Sequence, residues 1–272
     1  MFAVIDVGAS KSRIAFCRNL RNLGQVEVFS TQADFSGQMS MLRKRLHKMQ
    51  NKGSLRAVAC GVAGTLDAKK NRIVNTGHLP RWHGKYLGDA LRKVFRAPVF
   101  LENDTALAGL GEARRGAGRR YAVVAYVTVS TGVNGVRIVD GKIDRNVSGF
   151  GIGHQIISVI NQKPQTLEHF IAGAELRARF GKAPEKIASK SVWKDVERYL
   201  GYGLVNVLRF WSPGVLVVGG GIIAGEKINL SNVKRIAVAY ARHYAESCPF
   251  LKAQLGDYGG LYGGLEFLSR MG

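Results

Sequence analysis

Apolar residues follow two spacings along the chain, and together these predict strands that alternate with helices. Short apolar runs over residues 2–5, 55–62 and 121–129 are typical of buried strands. Apolar residues that recur every three or four positions over residues 37–52 predict an amphipathic helix with a basic outer face. Further strands are expected near residues 13–17, 24–29, 98–101, 136–139 and 214–218, and further helices over residues 85–95, 105–115, 167–180, 191–210 and 232–247. This alternation indicates the α/β class, in which ligands bind at the carboxyl ends of strands.

Two similar hairpins indicate two related lobes. The first 17 residues form one hairpin, and residues 121–139 form the other. A break rich in Gly and Arg over residues 114–120 lies between them. We therefore expect an N-terminal α/β lobe over residues 1–117 and a C-terminal α/β lobe over residues 118–272, and the last helix is a candidate to pack back on the first lobe.

The composition is that of a packed globular protein. The 272 residues are 46% hydrophobic and include only 6 Pro, which excludes disordered, collagen-like and fibrous classes. No apolar run approaches the roughly 20 residues that a bilayer crossing requires. The first residues lack a secretory signal, so a cytoplasmic protein with no membrane contact is expected. Cys17, Cys60 and Cys248 lack CxxC spacing, which argues against disulfides and a cysteine-based zinc site.

The net charge is strongly positive. The chain has 40 Lys and Arg against 19 Asp and Glu, which gives +21. Such a field attracts phosphate groups on nucleotides, nucleic acid or anionic lipid. A solvated basic surface accounts for the same count, so both interpretations stay open. Contact with nucleic acid is compatible with this charge but is not favoured.

The first hairpin turn combines an acid with small residues. Asp6, Gly8, Ala9 and Ser10 lie in this turn, where small side chains let backbone N–H groups approach a phosphate. Such a turn is also a common structural feature without a ligand. Asp6 is a candidate to face a water molecule bound to Mg²⁺, because hard cations prefer carboxylates and usually retain waters.

The second hairpin turn repeats this setting. Residues 130–135 offer hydroxyl groups and backbone donors beside glycines. Together the two turns are candidates to clamp the β- and γ-phosphates of a nucleotide, although no Walker A motif is present. Gly219, Gly220 and Gly221 follow a buried strand, where they either expose backbone to an adenine or ribose or simply form a tight strand-to-helix turn.

Asp104 is the strongest single candidate for catalysis. It follows Glu102 and Asn103 at the end of a predicted strand and precedes a predicted helix. An Asp there can accept a proton from a substrate hydroxyl as the oxygen attacks a phosphoryl group. It can also serve as the N-cap of the helix, and the two roles are compatible. His154 is a candidate hydrogen-bond donor to a polyol or a structural histidine.

These elements, in this order, resemble the ROK family of sugar kinases and repressors, within the sugar kinase, Hsp70 and actin superfamily. The most specific segment is ENDTALAGLGE at residues 102–112, which is close to the family's ENDANAAALGE. The first turn resembles the family's DxGGTxxR motif, with Ala9 in place of the second Gly. Weaker similarities lie in GVAGTLD at residues 61–67, LPRW at 79–82, the turn at 130–135, the glycines at 219–221 and GDYGGLYGG at 256–264.

The resemblance implies the two-lobed actin-like ATPase fold, which is ribonuclease H-like, with a ligand cleft between the lobes. It implies Asp104 as the catalytic base, Mg²⁺ with ATP as co-substrate, and a homodimer. The implied substrate-binding residues are Gly64, Asn103, Asp104, His154 and Glu168. The implied nucleotide-binding residues are Asp6, Gly8, Ala9, Ser10, Lys11, Thr131, Gly132, Val133, Gly220 and Gly221.

Three departures from the family pattern concern the substrate site. Gly151 stands where the family has a Glu that binds sugar hydroxyls. Because a charged hydrogen bond contributes about 1.5–3 kcal/mol, this loss weakens or redirects sugar binding. The family's cysteine-rich zinc loop is missing between His154 and Leu167, so zinc is not expected. His78 replaces the Asn that precedes the LPxW segment.

We therefore expect ATP-dependent phosphorylation of a hexose or N-acetylhexosamine hydroxyl. The alternative is a catalytically altered protein of this type that acts on an unusual acceptor or serves as a ligand- or polyanion-binding protein. Retention of Asp104 favours the kinase, and the loss of the Glu at position 151 favours an altered ligand. Repressors of the family carry a helix-turn-helix before the first phosphate motif, and the position of Asp6 disfavours that class.

Overall fold

The chain folds into two compact units. The structure, a computed structural model, describes residues 1–48, 54–77 and 79–271. Unit 1 comprises Met1–Gly111, Arg145–Gly149 and Asp257–Gly272, and unit 2 comprises Glu112–Asp144 and Phe150–Gly256. Among the described residues, no helix has the length and apolar character that a membrane crossing needs.

Strands and helices alternate as the hydrophobic pattern predicts. The strands of the described chain are β1 (Phe2–Val7), β2 (Lys11–Cys17), β3 (Val26–Ser30), β4 (Ala57–Val62), β5 (Thr65–Leu66), β6 (Ile73–Asn75), β7 (Val99–Asn103), β8 (Val123–Val129), β9 (Val133–Val139), β10 (Lys142–Ile143), β11 (Ile156–Ile160), β12 (Lys163–Thr166), β13 (Val215–Gly219) and β14 (Phe250–Lys252). The α-helices are α1 (Phe35–His47), α2 (Leu87–Phe95), α3 (Asp104–Arg115), α4 (Leu167–Ile171), α5 (Gly173–Phe180), α6 (Lys190–Trp211), α7 (Gly221–Ala224), α8 (Leu230–Ala245) and α9 (Gly259–Leu268).

A five-stranded sheet with the order β3-β2-β1-β4-β7 forms the centre of unit 1. β1 and β2 form an antiparallel hairpin, while β1, β4 and β7 are parallel. Alternate residues of β1 face opposite sides, so that Ile5 packs in a core with Leu42 of α1 and Leu91 of α2, whereas Val4 packs with Leu261 of α9. Helices thus cover both faces, and the parallel strands end together at one edge.

The sheet of unit 2 has the equivalent order, β10-β9-β8-β13-β14. Again the first two strands, β8 and β9, form an antiparallel hairpin, and β8, β13 and β14 are parallel. Helices α6 and α8 pack closely at Gly201 of α6. A Cβ there would lie only 2.7 Å from Cγ2 of Ile236 in α8. A separate two-stranded sheet, β11 and β12, precedes α4.

Two predicted helices differ from the structure. The helix expected over residues 37–52 begins two residues earlier, because the Asp34 side chain accepts the Gly37 N–H as an N-cap. It ends at His47, and residues 49–53 lie outside the described chain. The helix expected over residues 167–180 is two helices, α4 and α5, separated by Ala172 in an extended conformation.

Candidate active site

Asp6 and Asp104 lie close together at the carboxyl edge of the sheet in unit 1. Asp6, predicted in the hairpin turn, is instead the penultimate residue of β1, where it pairs with Arg13 of β2. Asp104 follows β7 as the first residue of α3. Between them, on β4, a Cβ at Gly61 would lie 3.3 Å from Asp104 Cα and 3.7 Å from Asp6 Oδ1. The glycine therefore leaves room for two carboxylates side by side.

The surroundings of Asp6 disfavour its charged form. Arg13 Nη1 lies 3.3 Å from Asp6 Oδ2, and Arg13 Nη2 pairs with Asp257 at 2.8 Å. Burial, and next the charge of Asp104, raise the pKa of Asp6 from 3.8 to about 7, and Arg13 only partly offsets this. Perturbed carboxyl groups of this kind are typical of functional sites.

Asn103 fixes the start of α3 beside Asp104. Its side-chain Oδ1 accepts the Ala106 N–H at 3.2 Å, which is an N-cap contact, and its Nδ2 donates to the Gly64 carbonyl at 3.0 Å. Asp104 Oδ1 accepts the N–H of Thr105 at 2.7 Å. The cap therefore belongs mainly to Asn103, and the structure brings together Gly64, Asn103 and Asp104 from the predicted substrate site.

Thr31, which follows β3, stabilises the first predicted phosphate turn through hydrogen bonds. The Gly8 N–H donates to the Lys11 carbonyl at 3.1 Å, which closes the turn. Thr31 Oγ1 donates to the Gly8 carbonyl at 2.9 Å, and the Thr31 N–H donates to Ser10 at 3.0 Å. Ser10 and Lys11 are exposed at the tip. A fixed turn with an exposed lysine suits an anionic ligand.

The second predicted phosphate turn, in unit 2, is held by α4 and α5. The carbonyls of Ser130 and Thr131 accept the N–H groups of Gly173 and Ala174 at 2.7 and 3.0 Å. Glu168 Oε2 accepts the Val133 N–H at 2.9 Å. This donor is already engaged by a carboxylate, so the assignment of Val133 to the nucleotide stays a prediction. The geometry leaves Thr131 and Gly132 as the donors at the tip.

The glycines after β13 lie beside this second turn. Gly219 pairs with Thr128 across the parallel strands. Gly220 has φ of +95°, and a Cβ there would lie 2.3 Å from the Val129 carbonyl oxygen. Both its conformation and its close approach therefore require glycine. Gly220 and Gly221 thus adjoin the predicted phosphate turn within one unit.

In unit 2, Glu168 lies next to the segment that carries His154. His154 ends the short 3₁₀ turn Ile152–His154 and is exposed. A Cβ at Gly153 would lie 3.0 Å from Glu168 Oε2, and one at Gly151 would lie 3.7 Å from the His154 ring. A side chain at Gly151, where the resemblance leads us to expect a glutamate, would thus be in van der Waals contact with the His154 ring.

The carboxylate of Asp6 suits a magnesium ion that also binds waters and substrate phosphates. In the part of the chain that the structure describes, no group of three or more His, Cys, Asp and Glu side chains is placed to hold a metal ion. Mg²⁺ usually binds through one or two carboxylates together with waters and substrate phosphates. Asp6 supplies such a carboxylate, and Asp104 beside it is the candidate base.

Comparisons with known proteins decide the family. The model of the ROK family matches residues 2–270. The chain belongs to the ROK family. A glucokinase of Halalkalibacterium halodurans is 26% identical over 310 residues, covering 96% of this chain and 92% of that protein. An N-acetyl-D-glucosamine kinase of Yersinia pseudotuberculosis is 25% identical over 300 residues, covering 97% of each.

Solved ROK structures share the fold. The ROK family glucokinase from Streptomyces griseus, in complex with glucose and AMPPNP, superposes with a TM-score of 0.82 at 22% identity and covers 100% of this chain and 99% of that one. The two-lobed actin-like ATPase fold expected from the sequence is confirmed. The family also contains regulators, since a xylose repressor of Bacillus subtilis is 25% identical over 194 residues, covering 64% of this chain and 50% of that protein.

Sequence reasoning missed two features of this ROK site. The contact of Glu168 with the Val133 N–H spans 35 residues, and the pairing of Lys70 with Glu102 spans 32. Neither has a local sequence signal, because each contact joins distant parts of the chain: Lys70 lies in the loop between β5 and β6, and Glu168 lies in α4 against the start of β9. Only the type of Glu102, an acid in an otherwise buried strand, indicates that it needs a partner.

Proposed function

We propose that this ROK protein transfers the γ-phosphoryl group of ATP to a hydroxyl of a hexose or N-acetylhexosamine. The observation that carries the proposal is the position of Asp104: a carboxylate at the carboxyl end of β7, beside Asp6 and fixed by the Asn103 cap. The kinases named above support this substrate class, since they act on glucose and N-acetylglucosamine.

In this mechanism Asp104 accepts the proton of the attacking sugar hydroxyl. General bases of this kind act within hydrogen-bond reach of the hydroxyl. Asn103 uses one N–H and one lone pair within the protein, so a second of each is left for a sugar hydroxyl. His154 and Glu168 are the proposed sugar contacts from unit 2. Gly64 holds Asn103 through its carbonyl and adjoins the substrate.

The phosphate groups of ATP bind, in this proposal, to backbone donors and Lys11. The proposed phosphate contacts are the N–H groups of Ala9 and Ser10 and the donors of Thr131 and Gly132. The Gly8 N–H already donates to the Lys11 carbonyl, so Gly8 contributes the tight turn, where a Cβ would lie 3.1 Å from that oxygen. Gly220 and Gly221 contact the adenosine. Asp6 would hold Mg²⁺ through a water molecule, and the ion would supply positive charge that favours transfer of the phosphoryl group.

The test is ADP release coupled to a reporter reaction, with Mg²⁺-ATP and a panel of glucose, mannose, fructose, allose, N-acetylglucosamine and N-acetylmannosamine. We expect turnover with at least one sugar. Asp104→Asn keeps the size and the Thr105 contact but removes the base, so kcat should fall by about 10²- to 10⁴-fold. Turnover of Asp104→Asn equal to that of the wild type would exclude Asp104 as the base.

The second candidate is an altered ROK protein that acts on an unusual acceptor or binds a ligand without turnover. The open position at Gly151 favours it, because the family's sugar-binding carboxylate is absent there. ATP binding without turnover on any sugar of the panel would support this candidate over the first.

A homodimer in the cytoplasm remains part of the proposal, and light scattering of the purified protein measures the assembly.

A further inference from the structure

Lys70 reaches the strand that carries the proposed catalytic residues. It lies in the loop between β5 and β6, and its ammonium group pairs with Glu102 Oε2. Glu102 is only 6% exposed. Its other oxygen, Oε1, accepts the N–H of Asn103 at 2.9 Å. A buried carboxylate thus joins Lys70 to the residue that precedes the proposed base.

The loop holds the Lys70 backbone in one conformation. Asp67 Oδ1 accepts the N–H groups of Asn71 and Arg72 at 2.7 and 3.0 Å, and the Lys70 N–H donates to the Asp67 carbonyl at 2.8 Å. Lys70 has φ of +48°, a left-handed conformation that is uncommon outside glycine. The tight turn around Asp67 therefore sets the direction in which the lysine leaves the loop.

The same loop is fastened to α2. Asn71 Nδ2 donates to Asp89 Oδ2 at 3.1 Å, and Arg92 Nη2 donates to Asn71 Oδ1 at 2.9 Å. The Gly88 N–H donates to the Asn71 carbonyl at 3.0 Å. These bonds fix the loop against α2, so the backbone from which the Lys70 side chain reaches Glu102 is held in place.

Removal of the ammonium group leaves the Glu102 carboxylate buried without its ion-pair partner. The Lys70 side chain is 41% exposed and that of Glu102 only 7%, so loss of the lysine leaves a buried carboxylate without its counter-charge, which is unfavourable. Glu102 would turn toward water and release the Asn103 N–H. Asn103 and Asp104 would then shift, and a shift of about 1 Å at a catalytic group lowers rates by up to about 100-fold.

We propose that Lys70 is a positioning residue for phosphoryl transfer, which holds Asn103 and Asp104 in place through the carboxylate of Glu102. This inference rests on the proposed kinase function. It assigns the loop between β5 and β6 a role at the proposed active site although Lys70 itself contacts neither sugar nor nucleotide.

The test compares Lys70→Met, Lys70→Arg and the neighbouring exposed Lys69→Met in the ADP-release reaction with the preferred sugar. We expect Lys70→Met to lower kcat by about 10- to 100-fold while the KM for ATP stays within about twofold of the wild-type value. Lys70→Arg keeps the charge and should recover most of kcat. Lys69→Met should match the wild type, because Lys69 is exposed.

A double variant separates positioning from general damage. Glu102→Gln removes the carboxylate, so Lys70→Met/Glu102→Gln has no unpaired charge and should fold even where Lys70→Met does not. If the two residues act as one unit, the double variant loses no more kcat than the worse single variant. Additive losses, or a wild-type kcat in Lys70→Met, would overturn the inference while the kinase proposal stands. A wild-type protein without sugar turnover would overturn both.

Discussion

At the scale of single residues, Asp6 is held in an environment that suits function more than folding. Its carboxyl group is mostly buried beside Asp104, and its pKa is raised to about 7. Arg13 divides its guanidinium group between Asp6 and Asp257, so it neutralises Asp6 only in part. Above neutral pH the fold therefore keeps a carboxylate where a neutral side chain would be more stable.

Asp6→Asn should stabilise the fold, and more so at high pH. Between pH 3.8 and about 7 the folded protein holds a proton that the unfolded chain releases, so the free energy of unfolding falls as pH rises through this window. The variant lacks this loss. The amount by which its free energy of unfolding exceeds that of the wild type should therefore be larger at about pH 8 than at about pH 5, by on the order of 2 kcal/mol.

Urea unfolding without divalent cations measures this difference. The matched control is Asp195→Asn, because Asp195 lies on the surface in an ion pair with Arg198; its effect should be the same at both pH values. A gain for Asp6→Asn that does not depend on pH would show that the carboxyl group of Asp6 titrates normally. The same variant should lose kinase activity, which would show that the site trades stability for function.

At the scale of secondary structure, α3 begins at the candidate site and is held at its other end by a buried carboxylate. It begins with Asp104 and runs to Arg115. Near its end lies Glu112, only 2% exposed, whose Oε2 accepts the Ala117 N–H at 2.9 Å and whose Oε1 accepts the Leu255 N–H at 2.7 Å. One buried carboxylate thus satisfies two backbone donors that no strand or helix pairs.

Glu112→Gln should lower the free energy of unfolding by about 1–3 kcal/mol. The amide has one oxygen, so one of the two backbone donors would face an NH₂ group and stay unsatisfied. Urea unfolding at neutral pH measures the loss. Glu246→Gln makes the same chemical change at an exposed position on the surface and should cost less than about 0.5 kcal/mol. Equal losses for the two variants would contradict the role of Glu112.

The hydrophobic pattern predicted most elements, and the departures have tertiary causes. The break between α4 and α5 lies where the Gly173 N–H donates to the Ser130 carbonyl, and a Cβ at Gly173 would lie 2.8 Å from that oxygen. The periodicity of residues 167–180 carries no trace of this contact. Likewise β9 begins at Val133, inside the segment expected to be a turn, because Asn134 and Gly135 pair with β8.

The candidate site was predictable only as far as it follows strand ends. Asn103 and Asp104 were predicted at the end of a strand, and the structure places them there. Asp6 was predicted in the hairpin turn, but it lies on β1, where it pairs with Arg13 of β2 and Gly61 of β4. Asn103, rather than Asp104, is the main N-cap of α3. This assignment depends on the direction of the two side chains, which the sequence does not encode locally. The contacts of Lys70 and Glu168 depend on tertiary structure, which brings a loop and helix α4 respectively against distant strands.

At the scale of the whole molecule, positive charge stabilises helices locally and opposes folding globally. The last turns of α1, α2 and α3 carry Lys44 and Arg45, Arg92 and Lys93, and Arg114 and Arg115 respectively. A cation there interacts favourably with the helix dipole, by about 0.3–1 kcal/mol each. Part of the excess charge thus stabilises helices and needs no polyanion partner. With a net charge of +21, however, the positive side chains repel one another across the whole chain and oppose folding.

Salt should therefore raise the thermal stability of this protein. The Debye length falls from about 10 Å at 0.1 M to about 3 Å at 1 M salt, so repulsion over longer distances is lost while contacts within one helix turn keep much of their strength. We expect the melting temperature to rise by several degrees, equally in NaCl and KCl, as followed by circular dichroism. A triple variant that changes Lys163, Lys182 and Lys194 to Glu should flatten this dependence, because all three are exposed and lie outside the last turns of α1, α2 and α3. A melting temperature that falls with salt would mean that local ion pairs outweigh the net charge.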